Sequence, residues 1–212
     1  LLPGSRSGEI HHHLDTLLAA AERIAAEIPG VRFLLPAAPT LDAAKLAEHI
    51  AAASTAKVRV VPASECESHD VLAAADAAVV KSGTSTVEAA LAGVPFVIVY
   101  RVSGLTYALG RLVVKVPFIG MPNLIAGKQV ARELVQGQFT AENVANEVLA
   151  LLRDPARRAD ARAGLAAVRE KMGSGGASKR AAGMAARVLA KRSPGPASAA
   201  SEGEPAGSLG RA

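Results

Sequence analysis

The sequence predicts an α/β fold: a Rossmann-like parallel sheet flanked by helices and followed by further C-terminal helices. Short apolar runs alternate with segments of helical periodicity, and this alternation indicates βαβ units. The apolar runs have few interruptions, as is typical of parallel strands that are buried on both faces. Half of the 212 residues are hydrophobic but only 3% are aromatic, so Ala, Val and Leu must build the core.

Strands and helices alternate through the first half of the chain. The predicted strands are Val31–Leu35, Val58–Val61, Ala77–Val80 and Phe96–Tyr100. The predicted helices are Glu9–Glu27, Leu41–Ala53, Asp70–Ala74 and Ser85–Ala92. After Tyr100 the pattern predicts an apolar, basic helix at Leu105–Val114 and an irregular segment at Val116–Gly127.

After Gly127 the sequence pattern predicts helices only. Thr140 is a candidate N-cap for Ala141–Leu152, and Asp154 is a candidate N-cap before Pro155. Two basic helices follow, at Pro155–Met172 and Ser178–Arg192. Residues 193–212 are rich in Ser, Pro, Gly and Ala, a composition that predicts a disordered tail.

Composition limits the classes of function. A net charge of +5 and a pI near 9.7 favour an anionic partner, either nucleic acid, a phosphate-bearing metabolite or an anionic lipid surface. Cys66 is the only cysteine, which excludes a disulfide framework and a thiolate metal cluster. No apolar run reaches the length of a membrane-spanning helix. The chain begins on apolar Leu1 rather than Met, so we expect a fragment that starts within a strand.

Two loops have the composition of phosphate-binding turns. Leu1-Leu2 leads into Pro3–Gly8 and a helix, and Val79–Lys81 leads into Ser82–Ser85 and another helix. A helix N-terminus presents unpaired N–H groups and a partial positive charge, and small residues let a phosphate approach them. Arg6 adds a planar donor fork. Two such loops facing one crevice would bind a diphosphate, although ordinary strand-to-helix turns have similar compositions.

Glu88 lies one turn into the helix that follows the second loop. A carboxylate at this place can accept hydrogen bonds from ribose hydroxyls, as the acidic residue of dinucleotide-binding folds does. A solvated helix residue is the simpler interpretation of a lone glutamate. Together with the two loops, Glu88 indicates a nucleoside diphosphate.

Two other motifs suggest chemistry that their spacing does not support. Adjacent residues of His11–His13 diverge by about a hundred degrees on a helix, so they cannot share one metal ion, and we expect a solvated face. Met172–Lys179 resembles a phosphate loop, but its spacing differs from that motif and no strand precedes it. A connector between helices is the better interpretation. No metal site and no cofactor are predicted.

Several motifs occur together in one order and spacing. They are PGSR at Pro3–Arg6, SGTSTVE at Ser82–Glu88 followed by AGVP, YR at Tyr100-Arg101, PNLIAG at Pro122–Gly127 and ELVQ at Glu133–Gln136. With them, Leu1–Arg192 closely resembles the C-terminal half of the bacterial lipid-A-disaccharide synthase family, inverting glycosyltransferases of the GT-B fold. The Ser82–Pro95 block is also similar, more distantly, to the donor domain of the peptidoglycan N-acetylglucosaminyltransferase.

The resemblance implies a reaction and its substrates. UDP-2,3-diacylglucosamine would donate its sugar to 2,3-diacylglucosamine 1-phosphate, forming the β-1,6-linked disaccharide of lipid A. The enzyme would act in the cytoplasm at the inner-membrane surface. Residues 1–192 would be its UDP-binding half, and the family's general base, an aspartate, lies in the N-terminal half. We therefore expect UDP binding and no turnover from this chain alone.

The resemblance also implies roles for individual residues. Arg6 would hold the diphosphate or assist the leaving UDP, and Asn123 occupies the place of a functionally required asparagine, so both are candidate catalytic residues. The implied UDP-binding residues are Ser5, Arg6, Ser82, Gly83, Thr84, Ser85 and Glu88. Without the resemblance, Asn123 would be interpreted as a turn residue after proline. The histidines at His11–His13 and the tail depart from the family pattern.

An interfacial patch is one prediction for the segment after Tyr100, and a core helix with a loop is the other. The patch would consist of Leu105, Tyr107, Leu109, Leu112, Val113, Val116, Phe118 and Ile119, with Arg111 and Lys115 among them. The basic residues would be attracted to an anionic leaflet.

Two rival functions follow from the same sequence. Another UDP-sugar enzyme of the same fold, either a UDP-sugar epimerase or the peptidoglycan N-acetylglucosaminyltransferase, would share the glutamate and the glycine-rich turn but not PGSR together with PNLIAG. A basic nucleic-acid-binding module would use the arginines and lysines of the last helices, which lack aromatic residues for base stacking. We instead expect these helices to cover the sheet, to reach the missing half, or to join a homodimer, and we expect no nucleic-acid partner.

Overall fold

The computed structural model describes residues 1–104, 106–107, 116–173 and 175–192. The chain divides into two units, of which the first is Leu1–Gly173 and the second begins at Ser174. The first unit is an α/β domain, which agrees with the predicted fold class. The described part of the second unit contains the helix Ala177–Arg192.

Strands and helices alternate along the first unit. Within the described residues the strands are β1 (Phe33–Ala37), β2 (Val58–Pro62), β3 (Ala78–Lys81), β4 (Phe96–Tyr100) and β5 (Arg132–Val135). The helices of the same residues are α1 (Ser7–Glu27), α2 (Ala43–Ala53), α3 (Ser68–Ala73), α4 (Ser85–Ala92), α5 (Met121–Ala126), α6 (Ala141–Arg153), α7 (Pro155–Met172) and α8 (Ala177–Arg192).

The strands pair in parallel, and Leu1-Leu2 lies between the two groups that they form. One group is β1 with β2, and the other has the order β3-β4-β5. The amine of Leu1 donates to Leu34 O at 2.7 Å, and Leu2 forms a parallel bridge with Val80. The strand order is therefore β2-β1-(Leu1-Leu2)-β3-β4-β5. From Leu1-Leu2, the strands β1 and β2 are added on one side of the sheet and β3 to β5 on the other, so the order of the strands reverses between Leu2 and β3.

Both faces of the central strands β3 and β4 are buried, and this accounts for their uninterrupted apolar runs. One face packs against α1 and α6 through residues that include Leu17, Ile24 and Val148. The opposite face packs against α4 and α7 through residues that include Ala89 and Leu165. Successive residues of β3 and β4 alternate between the two faces, so these strands form the centre of the core.

Two of the predicted helix starts are confirmed in detail. Thr140 Oγ1 accepts the N–H of Asn143 at 3.1 Å. Asp154 Oδ1 accepts the N–H of Ala156 at 2.9 Å, and Pro155 is the first residue of α7. Both caps satisfy N–H groups that have no partner inside the helix.

Two predictions about local structure are wrong. The segment predicted to be helical after Gly127 contains the strand β5, whose four residues are too few for a periodic signal and whose pairing with β4 is a tertiary contact. The irregular segment Val116–Gly127 contains the short helix α5, with proline in its first turn and Gly127 ending it at φ 73°. The predictions for Leu105–Val114, apart from residues 106 and 107, and for residues 193–212 lie outside the described residues.

Candidate functional site

The two predicted loops lie side by side at the carboxyl edge of the sheet. Leu2 N–H donates to Val79 O at 2.8 Å, and Lys81 N–H donates to Leu2 O at 2.9 Å. The strand ends that lead into the two loops are therefore paired with each other. The strand order reverses at this place, and open α/β sheets bind ligands in the crevice at such a reversal.

The first loop is folded against Glu9 in the first turn of α1. Gly4 has φ 128°, and a Cβ added there would lie 2.5 Å from Glu9 Oε2, so both the conformation and the space require glycine. Ser5 N–H donates to Glu9 Oε2 at 2.9 Å. Arg6 Nη1 donates to Glu9 Oε1 at 3.3 Å, yet the Arg6 side chain is 82% exposed. The guanidinium is thus oriented by Glu9 while its outer edge faces solvent.

The second loop begins with Ser82, whose two donors are engaged within the chain. Ser82 N–H donates to Val99 O at 2.8 Å. Ser82 Oγ donates to Ile119 O at 2.9 Å. A hydroxyl has a single proton to donate, so in this arrangement Ser82 offers a ligand its oxygen lone pairs only. The part of Ser82 in phosphate binding stays a prediction.

The following residues turn directly into α4. Gly83 O accepts both the N–H and the hydroxyl of Thr86, at 3.1 and 2.6 Å. Thr84 is exposed, while Gly83 and Ser85 are half-buried. The first turn of α4 is thereby tied to the loop.

Glu88 lies in the first turn of α4 and faces the start of α3. Ser68 Oγ donates to Glu88 Oε2 at 2.8 Å. This bond fixes the orientation of a half-buried carboxylate at the end of the helix that the second loop precedes. The sequence did not single out Ser68, because a serine after a strand is also an ordinary helix-start residue.

Lys81 and Glu9 form an ion pair between the two loops, and sequence reasoning missed both residues as site candidates. Lys81 Nζ lies 2.9 Å from Glu9 Oε1, and the two side chains are only 17% and 18% exposed. Burial acts to raise the pKa of Glu9, but hydrogen bonds from Lys81 and from Ser5 N–H, with the charges of Lys81 and Arg6, lower that pKa on balance. Glu9 is therefore ionised at neutral pH. The signal in the sequence was the lysine at the strand end before a glycine-rich turn.

Asn123 is buried and uses its whole side-chain amide within the chain. Its Oδ1 accepts Val130 N–H at 2.7 Å and Ala131 N–H at 2.9 Å. Its Nδ2 donates to Ala131 O and to Glu133 Oε1, both at 2.8 Å. An amide has two donors and two acceptor lone pairs, so these bonds exhaust the group. Asn123 thus closes the connection between α5 and β5.

Glu133 joins this arrangement to the second loop. Its carboxylate accepts Ile119 N–H and Gly120 N–H, both at 2.9 Å. Ile119 O is the acceptor of Ser82 Oγ, so the backbone at Ile119 is held from both sides. The PNLIAG and ELVQ motifs therefore meet the SGTSTVE motif through one stretch of main chain.

Arg101 of the YR motif is fixed against the same domain. Arg101 N–H donates to His13 Nε2 at 3.0 Å, and the guanidinium donates to Thr16 Oγ1 at 3.1 Å and to Phe139 O. The guanidinium carbon also lies 4.7 Å from the centroid of the Phe139 ring. Arg101 therefore anchors the chain where it leaves β4.

The prediction that His11–His13 form a solvated face is wrong for His13. His11 and His12 are exposed, but His13 is 1% exposed, because one residue further around the helix points into the core. His13 Nδ1 lies 2.7 Å from Glu9 O, which makes Nδ1 the donor and Nε2 the acceptor for Arg101 N–H. Burial lowers the pKa of His13, although the hydrogen bond to Glu9 O opposes this.

The described residues contain no group of three or more His, Cys, Asp or Glu side chains that could hold a metal ion. None of their helices has the length and apolar character that crossing a bilayer requires. Of the predicted interfacial patch, residues 105 and 109–115 lie outside the described residues, whereas Val116 is 50% exposed.

Comparison with known families gives one assignment over most of the chain. A family model described as "Lipid-A-disaccharide synthetase" matches residues 1–188. A lipid-A-disaccharide synthase of Syntrophus aciditrophicus is 45% identical over 191 residues, which cover 90% of this chain and 49% of that protein. One from Geobacter metallireducens is 44% identical over 192 residues, which cover 91% and 49%. The chain thus spans about half the length of the curated relatives it matches.

Solved structures support the fold alone. The calicheamicin glycosyltransferase CalG4 superposes with a TM-score of 0.57 at 21% identity, over 91% of this chain and 43% of that one. The glycotransferase of kitacinnamycin gives a TM-score of 0.52 at 22% identity, over 89% and 42%. Both neighbours are GT-B glycosyltransferases, and this agrees with the predicted fold class.

Proposed function

Because the chain belongs to the lipid-A-disaccharide synthase family, we propose that it forms the UDP-binding half of a hexosyltransferase that assembles the lipid A disaccharide. The observation that carries this proposal is the pairing of two small-residue loops at the point where the strand order reverses. Arg6 stands beside one loop, and Glu88 follows the other. This combination suits a nucleoside diphosphate, because Arg6 can bind the diphosphate and the carboxylate of Glu88 can accept hydrogen bonds from the ribose.

In this proposal UDP-2,3-diacylglucosamine binds across the crevice. The diphosphate lies against the first turn of α4, where Gly83, Thr84 and Ser85 supply N–H groups and hydroxyls. Arg6 neutralises part of the negative charge that grows on UDP as the sugar leaves. Glu88, oriented by Ser68, accepts the ribose hydroxyls. Ser5 contributes from the first loop, although its N–H already donates to Glu9.

The acceptor is 2,3-diacylglucosamine 1-phosphate, whose hydroxyl must lose a proton as it attacks. By the family resemblance, the base is an aspartate in the half of the relatives that this chain does not cover. We therefore propose that this chain binds UDP but does not catalyse transfer of the sugar by itself. Asn123 acts in this scheme by holding the backbone beside Ser82 through Glu133, since its own amide is fully engaged.

The experiment that tests the nucleotide site is calorimetry of the 212-residue chain with UDP. Binding of UDP with no binding of a single-stranded RNA of similar charge supports the proposal. Binding of RNA without UDP would favour the nucleic-acid alternative, which nothing in the crevice supports. A radiolabelled donor and acceptor assay should give no disaccharide, and measurable synthesis by this chain alone would overturn the division of roles.

Peripheral association with the inner-membrane surface is the second part of the proposal. Both substrates carry acyl chains, so transfer has to occur at a bilayer, and the chain has a net charge of +5 that favours an anionic leaflet. Co-sedimentation with vesicles that contain an anionic lipid should occur at low salt and weaken at high salt. Absence of binding at low salt would remove this part and leave the nucleotide site untouched. A homodimer stays a prediction that light scattering would check.

A further inference from the structure

Lys81 lies between the two loops, beside Glu9 of one and Gly83 of the other, and the roles assigned above make no use of its charge. It is the last residue of β3, the strand at which the order reverses, and its backbone pairs with Leu2. Its side chain is only 17% exposed. A lysine so placed loses side-chain entropy and hydration, and among the described residues its ionic partner is Glu9.

The ammonium lies directly beside the second loop. A Cβ built on Gly83 would stand 3.7 Å from Lys81 Nζ, so the group borders the backbone that turns into α4. Nζ also lies 5.8 Å from the centroid of the Tyr100 ring, which closes the other side. The ammonium therefore lies between Glu9 of the first loop and Gly83 of the second, with 17% of the side chain exposed.

Two cations share one carboxylate oxygen at this place. Glu9 Oε1 is 2.9 Å from Lys81 Nζ and 3.3 Å from Arg6 Nη1. The cluster of Arg6, Glu9 and Lys81 therefore has a net charge of +1. The ammonium of Lys81 donates one proton to Glu9 and has two further protons to donate. Oε1 of Glu9 thus binds both cations, while its Oε2 accepts the N–H of Ser5.

We propose that Lys81 binds the diphosphate of the ligand directly and that Glu9 is the positioning residue that holds it there. The inference rests on the proposed function, because it requires a nucleoside diphosphate in this crevice. Lys81 contacts the diphosphate from the sheet side as a point charge, and Arg6 contacts it from the solvent side with its planar fork. Glu9 keeps the two cations in place before the ligand arrives.

Calorimetry with UDP and with uridine tests the contact with the diphosphate. Lys81→Met should weaken UDP binding by about tenfold or more, the loss expected for one charged hydrogen bond, and should leave uridine binding unchanged. Lys81→Arg should retain more UDP affinity than Lys81→Met. The matched control is Lys57→Met, which removes the same charge from an exposed residue before β2. Equal losses for UDP and uridine, or no loss for UDP, would overturn the inference.

The role of Glu9 is tested by a double-mutant cycle. Glu9→Gln should weaken UDP binding in the wild-type background and weaken it less in the Lys81→Met background, because part of its effect passes through Lys81. Equal effects in both backgrounds would show that Glu9 does not act through Lys81.

Protection from acetylation tests the contact without a substitution, in case Lys81→Met fails to fold. Acetic anhydride labelling of the wild-type chain, read by mass spectrometry, should slow at Lys81 with UDP but not with uridine, and should not change at Lys57. UDP binding without protection of Lys81 would overturn this inference alone. Absence of UDP binding by the wild-type chain would overturn both this inference and the proposed function, so the two failures are distinguishable.

Discussion

Asn123 and Glu133 are joined side chain to side chain, with Asn123 Nδ2 donating to Glu133 Oε1 at 2.8 Å inside the connection between α5 and β5. The same asparagine holds the backbone of Val130 and Ala131, and the same glutamate holds the backbone of Ile119 and Gly120. The two short motifs are therefore joined into one hydrogen-bonded unit, which meets the second loop at the main chain of Ile119.

Asn123→Ala should destabilise the domain substantially. The change leaves the partly buried N–H of Val130 and the buried N–H and carbonyl of Ala131 without their partner, and each such loss costs about 1–3 kcal/mol, not additively. Urea unfolding measures the free energy of unfolding. Asn143→Ala is the control, since Asn143 is exposed and its side chain makes a bond to Gln138 O at the surface. Equal stability of Asn123→Ala and wild type would contradict the assigned positioning role.

His13 should make the stability of the domain depend on pH. Its pKa in the folded state lies below the unfolded value of 6.5, because burial disfavours the charged ring. Between the two pKa values the unfolded chain binds more protons, so the free energy of unfolding rises with pH. The stabilisation is complete above pH 6.5 and is lost as the pH falls from there towards the folded pKa.

His13→Gln should abolish this component while keeping an acceptor near Arg101 N–H. The free energy of unfolding should fall less from about pH 7.5 to about pH 5 in His13→Gln than in the wild type. His11→Gln, at an exposed position of the same helix, should leave the wild-type difference unchanged. An identical pH dependence in all three proteins would exclude His13 as its origin.

Glu88→Gln should weaken UDP binding by about tenfold, since a charged acceptor for the ribose hydroxyls becomes a neutral amide. The effect should disappear with 2′,3′-dideoxy-UDP, which has no hydroxyls to donate. Glu142→Gln, at an exposed position in the first turn of α6, is the matched control. Ser68→Ala should give a smaller loss in the same direction, because it removes the bond that orients Glu88. An equal loss with the dideoxy ligand would argue against a ribose contact.

Gly4→Ala should destabilise the first loop through two additive strains. The backbone has φ 128°, and the new methyl group would lie 2.5 Å from Glu9 Oε2 and 2.6 Å from Glu9 Cβ. We expect a loss of roughly 1–3 kcal/mol in the free energy of unfolding. Gly8→Ala, whose Cβ would meet no atom within 4 Å and which lies inside α1, should not lose stability. The idea fails if both variants unfold at the same urea concentration as the wild type.

The sequence predicted most elements of this domain, because their signals are local. The alternation of buried strands and amphipathic helices is visible in residue order, and the caps at Thr140 and Asp154 depend on neighbours two or three residues away. The strand β5 was missed because its identity depends on pairing with β4, more than thirty residues earlier in the chain. Tertiary pairing of this kind leaves no periodic trace in four residues.

The candidate site was predicted as two loops and a glutamate, and the structure brings the loops together. Sequence reasoning missed Glu9 and Lys81, whose ion pair connects the loops, and it missed Ser68 and Glu133, which hold residues beside the second loop. Each is a polar side chain whose partner is distant in sequence or belongs to a backbone turn, so its role cannot be deduced from spacing. His13 was assigned to the surface because three adjacent histidines do not show which of them faces the core. Each residue advances about a hundred degrees around α1, and His13 is the one that is buried.

The hydrogen bond from Ser82 to Ile119 uses the single hydroxyl proton of Ser82, which a ligand at the second loop could also accept. Ser82 Oγ donates to Ile119 O at 2.9 Å, and the same hydroxyl stands at the entrance to the phosphate-facing loop. A ligand oxygen that accepts this proton competes with Ile119 O, whose peptide plane also contains the Gly120 N–H that donates to Glu133 Oε1. A ligand that accepts the Ser82 proton would leave Ile119 O without this donor, while the carboxylate of Glu133 still holds the peptide through Gly120 N–H.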